Sequence, residues 1–451
     1  MTVEEAEAYL NDLPHFTKKN PMTHTVKFME ALGNPQEQFR VIHVAGSNGK
    51  GSTCSFLYSI LTAAGCRAAL FTSPHLVDIR ERFRLPEGMC SRRDFLEAYQ
   101  LVRDTADLMH RQGEDYPTYF EFIFAIGMLI FQKHRIPYVV METGLGGRLD
   151  TTNVVRHPEL CILTSISLEH TEYLGSTIAR IAEEKAGIIK PGVPVIFDGS
   201  NPEAARVIRE TAAARGSAFY EILKNMCRIR ESRGGSIDFS LSTAYDKETV
   251  WQIPFAATYQ VVNAALAITG FRVLTETDEF LRNLTTEEQE AAIARGLADT
   301  VWPGRMQEIL PGVIFDGAHN ADGIREFTDN AARICREDPY PPLLLYSMVR
   351  EKDYHRCAQI LSGMRWDRIV ISRIPSERGL DCICLKEAFP EYLQPQIFTE
   401  ESYQEAFHRL LTERKPGQRI FCTGSLYFIG ALLETVRRPD SGPAATGESN
   451  V

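Results

Sequence analysis

Apolar runs rich in β-branched residues alternate along most of the chain with segments whose apolar positions recur every three to four residues. These are the patterns of buried strands and amphipathic helices in turn. In the first part the spacing predicts strands over 40–45, 68–72, 138–141, 160–166 and 193–197. Helices are expected over 50–64, 93–111, 119–133, 177–189 and 202–215. Such alternation gives a mostly parallel sheet covered by helices. Residues 227–252 read differently, because short alternating runs flank Arg233-Gly234-Gly235-Ser236. Antiparallel hairpin material is expected there, followed by a helix over 260–274. The pattern breaks at Trp302-Pro303-Gly304, a hinge candidate. A second β/α series follows, with strands near 313–316, 342–347, 367–372 and 419–422.

A chain of 451 residues is long enough for two or three such cores. Its 44% apolar and 24% charged residues are ordinary for a globular protein. The net charge of −10 argues against nucleic acid or an anionic membrane as partner, while a locally basic pocket still suits a small anion. Ten cysteines lie scattered, mostly within apolar runs. Buried free thiols in a reducing compartment are therefore expected, not a disulfide frame. The isolated pair Cys382 and Cys384 has no second Cys or His pair nearby and makes a poor zinc site. The opening residues MTVEEAEAYLNDL are acidic and lack a signal-peptide core, and no run approaches the ~18 apolar residues of a membrane span. A cytoplasmic protein is expected.

The strand over 40–45 runs into Gly46-Ser47-Asn48-Gly49-Lys50-Gly51-Ser52, and a helix follows. A glycine-rich turn between strand and helix lets backbone N–H groups surround phosphate oxygens, with the helix dipole behind them. Lys50 would neutralise β/γ-phosphate charge, and Ser52 would offer a hydroxyl to Mg²⁺. Val44 stands where the usual first Gly would be, and Gly51 displaces the hydroxyl residue by one position.

Glu142 stands at the C-terminal end of the strand over 138–141, on the sheet edge where α/β proteins bind ligands. His170 falls just past the strand over 160–166, on the same edge. Two such groups beside a phosphate loop point to metal. Taken by composition alone, Lys185 is a solvated helix residue making i,i+4 pairs.

Together these segments resemble the folylpolyglutamate synthase/dihydrofolate synthase family, within the Mur-type ATP-dependent ligases. The resemblance is carried by GSNGKGS (46–52), TSPHL (72–76), RERF (80–83), ETGLGGRLDTTN (142–153), SLEHTEYLG (167–175) and EKAGIIK (184–190). WPGR (302–305), DGAHN (316–320), KD (352–353) and TGSL (423–426) continue it in family order. It implies a P-loop NTPase-type domain with a mostly parallel sheet over 1–298 and a smaller Rossmann-like α/β domain over 299–438; the Gly-, Ser-, Pro- and Ala-rich composition of 439–451 predicts a disordered tail. It further implies that Ser47, Asn48, Gly49, Lys50, Gly51, Ser52, Gln260, Asn263, Arg305 and Asp316 bind ATP. Ser52, Ser73, Glu142, His170 and Lys185 would hold Mg²⁺ in two sites, with room for a monovalent cation, and Lys185 would be carbamylated. Lys50, Lys185 and His319 would be catalytic, and Pro74, His75 and Arg82 would meet the folate side. Lys352 and Asp353 match a further second-domain element. Ser47 replaces the usual Thr, Glu169 a common Asp, and Tyr259 the usual His.

The implied reaction is ATP-driven addition of L-glutamate to the γ-carboxylate of a reduced folate through an acyl phosphate, by a monomer with no nucleic-acid or membrane partner. Dihydrofolate synthase, joining dihydropteroate to glutamate, is the sister reading, alone or as a second activity. A Mur ligase proper would place a uridine-nucleotide domain ahead of the phosphate loop, which here starts by residue 46. A nucleotide switch would need a base-reading motif such as N-K-x-D, which the sequence lacks.

Overall fold

In the computed structural model, which describes residues 1–14, 20–233 and 235–437, the apolar run Arg40–Ala45 forms strand β1. The tail over 439–451 lies outside the described residues. In chain order the next strands are β2 (Ala68–Phe71), β3 (Phe83–Leu85), β4 (Gly88–Met89), β5 (Tyr138–Glu142), β6 (Leu160–Leu163), β7 (Val195–Asp198) and β8 (Phe219–Ile222). They form one sheet of order β4-β3-β2-β5-β1-β6-β7-β8. The six strands from β2 to β8 in that order run parallel, and β3 and β4 extend the edge antiparallel. Both faces are covered, which explains why β1, β5 and β6 read as near-continuous apolar runs.

The covering helices are α1 (Val3–Asn11), α2 (Met22–Ala31), α3 (Lys50–Ala63), α4 (Arg92–Arg111), α5 (Tyr119–Lys133), α6 (Thr171–Leu174), α7 (Ile178–Ala186), α8 (Pro202–Ala214), α9 (Tyr259–Thr277) and α10 (Thr286–Ala298). Strand alternation sorts β1 between two cores. Ile42 and Val44 join α3, α9 and α10, whereas Val41 joins α1, α2, α4 and α5. Strands β9 (Cys227–Arg233), β10 (Ser236–Ser242) and β11 (Lys247–Ile253) form a separate antiparallel sheet, with Ser236 paired to Arg233.

The strand predicted over 160–166 stops at Leu163, because the residues beyond it turn toward the phosphate loop: Ser165 bridges to Asn48. Helix α10 carried a legible signal that the periodicity reading passed over, a capping box from Thr285 to Glu288. Strands β3, β4 and β8 are two to four residues long and give too little alternation to register.

These elements belong to one compact unit, Met1–Trp302, and a second unit begins at Pro303. The second contains β12 (Gln307–Leu310), β13 (Val313–Phe315), β14 (Leu343–Tyr346), β15 (Arg368–Ser372), β16 (Ile397–Glu400) and β17 (Ile420–Thr423), ordered β12-β13-β17-β14-β15-β16. All neighbours are parallel except β12 with β13. Its helices are α11 (Ala321–Ile334), α12 (Tyr354–Leu361), α13 (Cys382–Glu387), α14 (Tyr403–Glu413) and α15 (Leu426–Arg437). Among the described residues no helix is long and apolar enough to cross a membrane.

His43 on β1 is fully buried, with Nε2 2.8 Å from Thr152 Oγ1. Burial, with repulsion from Lys190 added, pushes its imidazole down to about 3 from 6.5. A depressed folded value means stability is whole above the unfolded value and declines as the pH falls from about 6.5 toward 3. His43→Leu should therefore flatten the loss of urea stability over that window. Identical slopes in the two proteins would contradict the assignment.

Candidate active site

Loops leaving the C-terminal ends of parallel strands open on one edge of the sheet. Since β1 lies between β5 and β6, the loop at 46–49 has the loops after both as neighbours. Two glycines make this possible. A Cβ on Gly46 (φ +151) would come 1.8 Å from Thr164 Oγ1, and one on Gly49 (φ +88) 2.3 Å from Asn263 Oδ1. Ser47 ties the loop to the strand beside it: its N–H donates to the Ser165 carbonyl (2.8 Å), and its Oγ accepts the Ser167 N–H (3.0 Å). Helix α3 begins at Lys50, with no side chain capping its first N–H groups. The Lys50 ammonium folds back onto the carbonyls of Gly46 (2.9 Å) and Ser47 (3.2 Å). From α9, Gln260 Nε2 donates to Ser52 Oγ (3.1 Å) and its Oε1 accepts from Asn263 Nδ2 (2.9 Å). Gly51 lies against Trp302, whose ring would be 2.4 Å from an added Cβ.

Gly46→Ala is expected to lose stability and ATP affinity together, since the added Cβ would meet Thr164, which is fully buried just past the end of β6. Calorimetry of ATP binding checks this, and wild-type affinity would contradict the loop's geometry.

Lys185 corrects the reading from composition. It is not a solvated helix residue but 1% exposed, with Nζ 2.7 Å from the Gly46 carbonyl and 2.7 Å from Glu169 Oε1. Helical periodicity puts it on the inner face of α7 with Ile181 and Ala182. Burial depresses its ammonium pKa, with Lys50 adding repulsion and Glu169 opposing both. Burial alone would raise Glu169, but the Lys185 charge holds its carboxyl well below the usual range. Two further glycines let the loop after β5 press against this helix end. A Cβ on Gly147 would meet the Glu184 carbonyl at 2.7 Å, and one on Gly187 the Arg148 Cβ at 2.4 Å. Asp150 shapes that loop from inside, accepting the N–H groups of Leu145 (2.7 Å) and Thr152 (3.0 Å).

Glu142 ends β5 at 4% exposure, and its Oε2 accepts the Ser73 N–H at 3.0 Å. Ser73 precedes a cis bond to Pro74. In the loop that follows, Arg82 Nε–H donates to His75 Nδ1 (2.9 Å), which leaves the His75 proton on Nε2, facing Glu7 Oε1 at 3.3 Å. Glu81 holds the same loop by accepting the N–H groups of Leu76, Val77 and Asp78. His170 sits next to Glu169 in left-handed backbone (φ 46), opening α6.

The structure thus brings Ser47, Asn48, Gly49, Lys50, Gly51, Ser52, Gln260, Asn263 and Lys185 around one loop, joins Ser73 to Glu142, and joins His75 to Arg82. Sequence reasoning missed two organising carboxylates. Glu169 is the buried partner of Lys185, and Asp150 is the loop's internal acceptor. The only sequence signal was position, each lying inside a segment that carried the resemblance.

Oxygen donors predominate here: Ser52, Ser73 and Glu142, with the Thr143 hydroxyl buried and without a partner. Among the described residues no three His, Cys, Asp or Glu side chains converge on a point. Such a set suits Mg²⁺, which takes one or two carboxylates and completes its shell from water and substrate phosphate.

In the second unit Asp316 follows β13 and is buried, accepting the N–H groups of Met306 and Ala318, both at 2.8 Å. Arg305 Nη1 donates to the Gly304 carbonyl (3.1 Å), and His319 Nδ1 lies 2.8 Å from the Gly317 carbonyl, just before α11. Asp353 caps α12 through the Arg356 N–H (3.0 Å), next to Lys352.

Residues 44–270 match the Mur ligase middle domain. The chain is 34% identical to the dihydrofolate synthase/folylpolyglutamate synthase of Bacillus subtilis, over 96% of this chain and 99% of that protein. It is 31% identical to the folylpolyglutamate synthase of Lacticaseibacillus casei, over 97% and 99%. Among solved structures, Escherichia coli FolC in complex with DHPP and ADP superposes with a TM-score of 0.82 at 26% identity, covering 98% of this chain and 99% of that one.

Proposed function

Since the chain belongs to the folylpolyglutamate synthase/dihydrofolate synthase family of ATP-dependent ligases, we propose that it adds L-glutamate to the γ-carboxylate of a reduced folate, with dihydropteroate as a second acceptor. The second acceptor is favoured by the Bacillus subtilis relative, which is named for both activities. A carboxylate is a poor acyl donor. Its oxygen attacks the γ-phosphorus of ATP, ADP leaves, and the resulting acyl phosphate is attacked by the glutamate amine. The acyl C–O bond then breaks and phosphate departs. In-line positioning and exclusion of water are the main demands, because acyl phosphates hydrolyse.

The observation that carries this reading is the adjacency of three features: the loop after β1, Glu142 at the end of β5, and the Glu169–Lys185 pair behind the loop. The amides at the start of α3 and the Lys50 ammonium offset phosphate charge, with Lys50 leaving its two carbonyl contacts for the ligand. Gln260 orients the Ser52 hydroxyl, and Asn263 orients Gln260. Arg305, Asp316 and His319 are assigned to ATP within the same proposal, with His319 catalytic. The loop with Pro74, His75 and Arg82 is assigned to the folate side. Mg²⁺, when bound, supplies positive charge to the phosphates, and Ser52, Ser73, Glu142, His170 and Lys185 are the residues proposed to hold it in two sites.

Carbamylation of Lys185 joins the proposal, supported by burial, which favours the neutral amine that attacks CO₂. A carbamate beside the Glu169 carboxylate would gather two negative charges, which Mg²⁺ or a monovalent cation would offset. A cytoplasmic monomer completes the reading.

Purified protein given ATP, Mg²⁺ and labelled glutamate should transfer label to tetrahydrofolate and to dihydropteroate. Transfer to dihydropteroate alone selects the synthase-only alternative. Phosphate release that needs no acceptor, with no label transferred, defeats the ligase reading.

A further inference from the structure

His24, in the first turn of α2, is 5% exposed. Its Nδ1 lies 3.0 Å from Glu121 Oε1, and its Nε2 lies 2.7 Å from the Asp115 carbonyl oxygen. A carbonyl only accepts. Glu121 is likewise committed as an acceptor, taking hydrogen bonds from Asn20 Nδ2 (2.8 Å), Thr25 Oγ1 (2.7 Å), the Thr118 N–H (2.8 Å) and Thr118 Oγ1 (2.9 Å). Both ring nitrogens must therefore donate, which only the imidazolium does. The hydrogen bond to Glu121 raises the His24 pKa above 6.5 against the pull of burial. Burial alone would raise Glu121, yet His24 holds it below its usual range.

Glu121 is also the capping-box partner of Thr118 at the start of α5. The next residues face the proposed acceptor loops. The Tyr119 ring carries the Arg82 guanidinium at 5.6 Å, and Arg82 in turn holds His75. The Phe120 ring fills the space beside Gly144, where a Cβ would come within 2.5 Å of it.

We propose that His24 is a charged positioning residue for acceptor binding. Its imidazolium clamps Glu121 to the 115–118 segment, which fixes the first turn of α5. Through Tyr119 and Arg82 that turn fixes the loop bearing Pro74 and His75. The inference rests on the assignment of that loop to the folate side. Among the described residues, the charged groups around the clamp are Glu121 on α5, Asp115, the Lys27–Glu114 pair, and, beyond Tyr116, Asp107 and His110 of α4. His110 is exposed, with Nδ1 3.1 Å from the Glu114 carbonyl oxygen, and is separated from His24 by Tyr116. The clamp is intact below about 6.5, the unfolded value, and is lost as the pH rises through the higher folded value.

Two measurements test it. Nitrogen-15 NMR of the wild-type protein should show both His24 ring nitrogens protonated at pH 7, and a single-proton tautomer there overturns the proposal. In kinetics from pH 6 to 9, the KM for the folate acceptor should rise roughly tenfold as His24 deprotonates, while the KM for ATP holds. His24→Asn and His24→Gln should show the high acceptor KM at every pH, with that inflection gone. An unchanged inflection in either folded variant overturns the proposal. Because the NMR result does not depend on turnover, failure of the ligase reading itself is distinguishable from failure of the clamp.

Discussion

Lys185→Ala is expected to remove glutamate transfer and, relative to protein whose Lys185 is the unmodified amine paired with Glu169, to destabilise the first unit by about 3–5 kcal/mol, the usual cost of leaving one member of a buried ion pair alone. Both side chains are almost wholly buried, at 2% and 6% exposure, so solvent cannot replace the lost partner. The stability loss should shrink as the pH falls into the carboxylate range. Glu169 is held below its unfolded value, so the stability contributed by the pair is present above that value and lost as acid protonates the carboxylate. Lys185→Ala combined with Glu169→Ala should regain much of the stability, because no orphaned charge remains. It should regain none of the activity, because the Gly46 carbonyl has lost its donor and the carbamate site is gone. Urea titrations and initial rates separate the two effects. A double variant that recovers turnover would reduce Lys185 to a structural role, and an active Lys185→Ala indifferent to CO₂ would remove the carbamate.

Lys50→Ala is expected to lower kcat/KM for ATP by about 10³-fold, equivalent to about 4 kcal/mol. The fold should scarcely notice. The Lys50 ammonium rests on two backbone carbonyls of its own loop and is partly exposed, and the Gly46 carbonyl keeps its bond from Lys185, so its removal orphans no buried charge. Here the split between activity and stability is the opposite of that at Lys185. Comparable losses in stability at the two positions would mean that the loop, rather than the ligand, is what Lys50 serves.

The parallel sheet of the first unit was legible because buried parallel strands are continuous apolar runs and helices between them keep their 3.6-residue period. Gly46 to Ser52 stood out because a glycine-rich turn between strand and helix has few other uses. Lys185 was not legible from residue chemistry. A lysine between Glu184 and Ala186 has the local pattern of a solvent-facing helix, and only the fold shows α7 turned so that this lysine reaches under the Gly46 carbonyl. Its proposed role rests on the family resemblance. Glu169 was hidden for a related reason: sixteen residues separate it from its partner, a distance at which no helical or strand period operates. His24 was invisible for a third reason. Its charge state is set by a carbonyl and a carboxylate ninety or more residues away, on segments the strand and helix pattern does not connect. Short strands such as β3 and β4 escaped because two or three residues carry no period.

An acyl-phosphate intermediate fixes the fate of one oxygen atom. If the acceptor is supplied with ¹⁸O in its free carboxylate and glutamate is added in the presence of ATP and Mg²⁺, the acyl-phosphate route moves one labelled oxygen into inorganic phosphate for each glutamate joined. Transfer of label to phosphate, with ADP as the other product, is the predicted result. Inorganic phosphate that carries no label, or label that passes into AMP, would contradict it.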